Sequence, residues 1–184
     1  MRHLRPAFVL IMAFTLLTGI AFPLAFTGLA TTFVPSRAGG SLIVQNGKVI
    51  GSSLIGQDFT AARYFHGRPS ATTPPYNASA SGGSNLGPSS KALVARVRAA
   101  VALNGPAPVP ADAVTTSASG LDPDISPANA DRQVARIAQA RGLPAAKVRA
   151  LVNAHVQGRF LGIFGEPRVN VLALNRALDK IGPQ

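Results

Sequence analysis

Three histidines, seven carboxylates and no cysteine limit the chemistry this chain can do. Without Cys there is no thiol nucleophile, no thiolate metal site and no disulfide. His3, His66 and His155 lack a second His or carboxylate at i+3 or i+4, so helical metal-ligand spacing is absent. No Gly-x-Ser-x-Gly elbow supports a Ser–His–Asp triad. Asp122 and Asp124 form the only close acidic pair and stand just before an expected helix. A carboxylate there caps backbone N–H groups and is favoured by the helix dipole. Capping is therefore the expected role, and neither a catalytic residue nor a metal-ligand set is expected.

Two loops carry more information. Tyr64-Phe65-His66-Gly67-Arg68-Pro69-Ser70 places aromatic, imidazole and guanidinium groups together at a loop mouth. Ser81, Gly82, Gly83, Ser84, Asn85, Leu86 and Gly87 then run into a helix start near Ser89 and Ser90. A Gly-rich backbone can turn N–H groups toward an anion, with the helix dipole behind it. The Gly-Lys-Ser/Thr ending of a phosphate-binding loop is missing, so a tight docking turn is the preferred reading.

The elements that position these loops begin with an uncharged stretch from Pro6 to Ser36. As a helix its apolar part, 7–34, would be about 42 Å long at ~1.5 Å per residue. A bilayer core needs about 30 Å. The run is about twice the ~7–15 residues of a signal core, which favours a retained anchor over a cleaved signal. Arg2 and Arg5 precede it and only Arg37 closely follows. Positive charge stays inside, so residues 1–6 are expected to be cytoplasmic and residues 35–184 to form one extracytoplasmic domain. Thr15 with Gly19, and Ala21 with Ala25, are small-residue pairs four apart that would permit close helix packing.

Within the domain, Leu42 to Ile50 around Asn46-Gly47 reads as a type I′ hairpin. Four helices should follow. Ser89 or Ser90 caps the first, with Leu93, Val94, Val97 and Val101 on one face. Asn104-Gly105 ends it, and Pro106, Pro108 and Pro110 keep the next stretch extended. Ser126-Pro127 opens the second helix, whose stripe is Ala130, Val134, Ile137 and Ala138 and whose stop is Gly142. Pro144 starts the third, with Val148, Leu151, Val152 and His155. Asn170 caps the fourth, with Val171, Leu174, Leu178 and Ile181. The fold class is thus α+β with little sheet: one transmembrane helix, a hairpin and about four further helices. Beyond the apolar run there are sixteen Lys and Arg against seven Asp and Glu, spread along helices. That pattern reads as a solvated face or attraction to an anionic surface or acidic partner, and nucleic acid is not expected outside a membrane.

Gln57-Asp58-Phe59, the Tyr64–Ser70 and Ser81–Pro88 segments, Ser117-Ala118-Ser119-Gly120-Leu121-Asp122-Pro123-Asp124-Ile125-Ser126-Pro127 and Gly165-Glu166-Pro167-Arg168-Val169-Asn170-Val171-Leu172 occur in this order. With the single span, they resemble the C subunit, KdpC, of Kdp-type potassium-transporting ATPases over nearly the whole chain. The resemblance implies a non-catalytic accessory subunit of an inner-membrane pump. Its partners would be a channel-like A subunit, a P-type ATPase B subunit working through an aspartyl phosphate, and a very small F subunit, besides membrane lipids. ATP and potassium would be used by the complex, with no cofactor held by this chain.

The family proposal makes the C subunit a catalytic chaperone that raises the ATP affinity of the B subunit. Ser81, Gly82, Gly83, Ser84, Asn85, Leu86 and Gly87 would then contact nucleotide. The charge-derived topology opposes this, because ATP is cytoplasmic and those residues lie across the membrane. The favoured expectation is docking on the outer face of the potassium-selective subunit, with Tyr64, His66, Arg68, Asp122, Asp124, Glu166 and Arg168 as candidates. The competing class is an anchored periplasmic enzyme or ligand-binding protein acting alone.

Overall fold

A computed structural model describes residues 2–105 and 108–181. The expectation for Pro106 lies outside the described residues. The chain divides into two compact units, Met1–Ser52 and Ser53–Gln184.

The first unit is dominated by helix α1, Leu4–Phe33, with a mean hydropathy of 2.3 over its most apolar window. It starts before the expected boundary and ends before Val34. Val34 leaves the helical region because Pro35 follows it, and the residue before a proline is pushed out of that region. Leu17–Ala21 forms a π turn immediately ahead of Pro23, which cannot donate to the preceding turn. Thr18 donates to the Phe14 carbonyl at 2.6 Å, and Thr32 to that of Gly28 at 2.8 Å. These hydroxyls are thus satisfied inside the helix, as an apolar surrounding requires. After one turn at Pro35–Ala38, strands β1 (Leu42–Gln45) and β2 (Lys48–Ser52) pair antiparallel with Gln45 opposite Lys48. Asn46 (φ 51°) and Gly47 (φ 74°) make the expected positive-φ turn. A register shift between Ile43 and Val44 adds a bulge that the alternation did not announce.

The second unit contains α2 (Lys91–Asn104), β3 (Asp124–Ile125), α3 (Pro127–Arg141), α4 (Ala145–Ala154), β4 (Val156–Gln157), β5 (Arg168–Asn170) and α5 (Val171–Asp179). The short sheet has order β3-β5-β4, all antiparallel, with Ile125 opposite Val169 and Val156 also opposite Val169. Ser126 caps α3 by accepting the Asn129 N–H, and Gly142 ends it at φ +62°. Asn170 caps α5 by accepting the Ala173 N–H at 3.0 Å. The α+β class therefore holds.

The core joins Phe65, Ile125, Ala130, Val134, Ile137, Val148, Val152, Val169, Val171, Leu174 and Leu178. The expected stripes of α3, α4 and α5 supply most of it. Several details differ. Pro144 is the N-cap residue of α4, not its first helical residue, and His155 sits just past its end, bonded through Nδ1 to the Leu151 carbonyl at 2.9 Å. Ile181 lies beyond α5 and is only partly buried. Helix α2 forms where read, capped by Ser90, yet none of its residues is buried. Val94 and Val101 stay exposed, so its stripe does not enter the core.

Candidate functional site

The Tyr64–Arg68 segment has no regular secondary structure and pairs with no strand among the described residues. Its backbone is held by amide side chains. The Phe65 N–H donates to Asn175 Oδ1 at 2.8 Å, and Asn175 Nδ2 donates back to the Phe65 carbonyl at 2.9 Å. Gln133 does the same for His66, at 2.8 and 3.1 Å. Asn175 is fully enclosed, so it replaces a strand neighbour where water has no access. Phe65 is thereby fixed in the core, and Arg68 emerges at a defined point.

The Gly-rich loop is laid against the Ser117–Gly120 block. Gly82 N–H donates to the Ser119 carbonyl at 2.9 Å, and Ser81 Oγ to the same oxygen at 3.1 Å. A Cβ on Gly83 would stand 2.9 Å from the Ala118 carbonyl oxygen. Glycine is required here for close backbone approach. Ser70 Oγ donates to the Gly120 carbonyl at 2.8 Å and accepts the N–H groups of Thr72 and Tyr76. Tyr76 donates its hydroxyl to the Arg68 carbonyl at 2.7 Å. Burial pushes the Tyr76 phenol up to about 12, with Asp122 and Asp58 adding to the rise, so it remains a neutral donor.

These straps shape an open depression of about 500 Å³ whose lining includes Arg68, Asp112, Asp122, Asp124, Glu166 and Arg168. Arg68 Nη1 meets Asp122 Oδ2 at 2.8 Å, and Arg168 Nε meets Asp124 Oδ2 at 3.0 Å. Asn170 Nδ2 donates to the other Asp124 oxygen at 3.1 Å. Burial pushes the Asp124 carboxyl above its ordinary value against the pull of Asn170 and Arg168, and the Asp122 charge adds to the rise. Glu166 takes Arg159 through both oxygens, at 2.9 and 2.8 Å.

The expected capping role of Asp122 and Asp124 is corrected by this geometry. Asp122 accepts the Asp124 N–H at 3.0 Å and pairs with Arg68, so neither acid reaches the α3 terminus. The acid that serves α3 is Asp112, from the stretch that follows Pro110. It accepts the Ser126 N–H at 2.8 Å, the Ser126 hydroxyl at 2.8 Å and Asn129 Nδ2 at 2.9 Å. Burial works against its ionisation, but the bonds from Ser126 and Asn129 prevail and hold the carboxyl below its ordinary value.

On the other side of Arg68 lies a second depression, also about 500 Å³, bordered by His66, Asn129, Arg132, Gln133 and Arg136, with no carboxylate among its described lining residues. Arg136 donates to the carbonyls of Ala62 and Tyr64, and Arg132 to that of Asn104. His66 Nε2 lies 3.1 Å from the Ala61 carbonyl. Burial lowers the His66 pKa despite that bond, and Arg136 lowers it further.

Five of the seven docking candidates thus share one depression, while Tyr64 and His66 lie apart from it. Tyr64 stacks under Arg141, 4.9 Å from ring centroid to guanidinium, and donates to Asp179 at 3.2 Å. Arg141 reaches the same carboxylate at 2.7 Å and the Arg63 carbonyl at 2.8 Å, tying α3 to α5. Asn175, Gln133 and Arg141 were missed by sequence reasoning although a signal existed. Each sits at i±3 or i±4 from stripe residues, and a polar group on an apolar stripe must find a partner. Asp112 had no such signal. Among the described residues no group of three or more His, Asp or Glu could hold a metal ion. Thr15, Gly19, Ala21 and Ala25 all lie on α1, with the π turn between the first and last of them.

Fold and surface together define a protein with, among the described residues, one apolar helix long enough to cross a membrane and an α+β unit whose polar clusters hold its own loops in shape. The family model for KdpC, described as the c chain of K+-transporting ATPase, matches residues 4–180. A potassium-transporting ATPase KdpC subunit from Methylobacterium nodulans is 60% identical over 197 residues, covering 98% of each chain. Its counterpart from Bradyrhizobium diazoefficiens is 57% identical with 98% of each covered, and that from Rhodopseudomonas palustris 57% identical with 97% of this chain and 98% of the relative covered. The chain belongs to the KdpC family and is a KdpC-type subunit of a potassium-transporting ATPase.

Proposed function

We propose that this chain is an accessory, non-catalytic subunit that docks its second unit on the outer face of the potassium-selective subunit. It thereby stabilises the assembly and supports the ATPase subunit, which carries the catalytic residues. One observation carries the reading: Arg68, Asp122, Asp124, Glu166 and Arg168, from three distant segments, converge on one open depression. Their charges are largely paired with one another, which suits a surface that presents a fixed polar pattern to a protein. Arg2 ahead of α1 and Arg5 in its first turn favour a cytoplasmic N-terminus and an extracytoplasmic second unit. The part we assign to Ser81–Gly87 is to brace the Ser117–Gly120 block, because the Gly82 N–H is given to the Ser119 carbonyl.

Glu166 and Arg168 are the most exposed of these five side chains, so changing their charges perturbs the surface more than the core. Glu166→Arg together with Arg168→Ala should leave the chain folded in the membrane and reduce co-purification with the multispan subunits. Potassium-stimulated ATPase activity of the complex should fall in parallel. Full assembly and activity in this double variant would refute docking through the depression. Because the chain has no native Cys, labelling of Asn85→Cys in sealed vesicles reads the topology directly. Access from the ATP side would restore the nucleotide reading.

A further inference from the structure

Between β4 and β5 the chain projects a short turn made wholly of apolar residues and glycine: Phe160, Leu161, Gly162, Ile163, Phe164 and Gly165. Phe160 is 71% exposed, Leu161 73%, Ile163 73% and Phe164 61%. Four adjacent large side chains left in water are unusual for a surface that stays in water. The backbone is also held in an unfavourable shape to present them. Leu161 sits at φ +52°, a region that residues with a Cβ avoid.

Four of the turn's backbone N–H groups are satisfied within it, which lowers the cost of seating it at the headgroup–acyl boundary, where water still reaches the tip carbonyls. Phe160 N–H donates to the Phe164 carbonyl at 2.8 Å and Phe164 N–H returns to Phe160 at 2.9 Å. Ile163 N–H donates to Phe160 at 3.2 Å and Gly162 N–H to Arg159 at 3.1 Å. No side chain from 160 to 165 offers a donor or acceptor with which to recognise a protein groove. Arg159 and Arg168 flank the tip, each about half exposed and ion-paired with Glu166 and Asp124, and the unit as a whole keeps an excess of positive charge, fourteen Lys and Arg against seven Asp and Glu. That charge complements anionic phospholipid headgroups. The same chain carries α1, and tethering beside a bilayer makes even weak insertion persistent.

We propose that the Phe160–Phe164 tip is a membrane-inserting loop that seats in the headgroup–acyl boundary of an anionic phospholipid bilayer, giving the second unit a lipid contact of its own. The inference goes beyond subunit docking and is tested without partner subunits, so its failure leaves the docking reading untouched. Full-length Leu161→Cys and Ile163→Cys, and the control Ala150→Cys on the exposed face of α4, would each be labelled with an environment-sensitive fluorophore. They would be reconstituted into phosphatidylcholine–phosphatidylglycerol vesicles containing nitroxide-bearing lipid. Unchanged melting temperatures would identify the folded variants, and two tip positions guard against loss of one. Insertion predicts quenching at the tip about twofold or more above that at Ala150→Cys, with a blue-shifted emission. Equal quenching at tip and control would overturn it. Tip labels that become shielded only when the multispan subunits are added would also overturn it, in favour of a protein partner.

Discussion

Removing the Asn175 side chain should disable the site from a distance. Asn175 makes two buried hydrogen bonds to the Phe65 backbone, at 2.8 and 2.9 Å, on a segment with no strand partner. Asn175→Ala leaves a buried N–H and a buried carbonyl unpaired, each costing about 1–3 kcal/mol, for a total of roughly 3–4 kcal/mol. Against a typical stability of about 5–15 kcal/mol this is severe. It corresponds to a fall in melting temperature on the order of 10 °C. The assay is thermal unfolding of the full chain in detergent, followed by far-UV circular dichroism.

Asn175→Asp refines the argument. Its carboxylate can accept the Phe65 N–H but has no proton for the Phe65 carbonyl, whereas the protonated acid serves both. The folded state therefore raises the pKa of the new acid above its unfolded value of about 3.9. The stability it contributes is present below that value and is lost as pH rises through the folded pKa. Measured against the parent at each pH, the deficit of Asn175→Asp should shrink from pH 7.5 to pH 4.5. A deficit for Asn175→Ala below about 1 kcal/mol, the net value of one ordinary hydrogen bond, would refute the reasoning. So would a pH-independent deficit for Asn175→Asp.

Other expectations follow from the same contacts. Gly83→Ala places a Cβ 2.9 Å from the Ala118 carbonyl oxygen and should cost about 1–3 kcal/mol, while Gly87→Ala, with open space around it, should be near neutral in the same unfolding assay. Asp112→Ala removes the carboxylate that accepts from Ser126 and Asn129 and should cost about 2–3 kcal/mol. Because the folded state lowers the Asp112 pKa, its contribution is present above the ordinary value of 3.8 and is lost as pH falls through the folded value. Acid unfolding of Asp112→Asn should therefore be shallower there than that of the parent. Gly19→Leu with Ala25→Leu on α1 should weaken co-purification with the pump, and full assembly of that pair would exclude packing through these small residues.

Much of the second unit was legible from spacing. The stripes of α3, α4 and α5 are locally periodic, and their caps Ser126, Gly142 and Asn170 act within a turn of their own position. Such features need only nearest neighbours along the chain. The burial of α2 was not legible, because an apolar stripe specifies a face to cover without specifying what covers it. The Asp112 contact with Ser126 spans fourteen residues through irregular backbone, and no periodicity reports it.

By itself the sequence determined the apolar helix, the hairpin turn, the four later helices and the motif order that places the chain in its family. These depend on composition, φ preferences and local hydrogen bonds. Only the tertiary structure decided that Asp122 and Asp124 are ion-paired instead of capping, and that Asn175 and Gln133 stand in for a missing strand. It alone brought Arg68, Asp122, Asp124, Glu166 and Arg168 into one depression. The physical reason is that a buried polar group must be paired, but which distant group answers it depends on the closed packing of the whole unit.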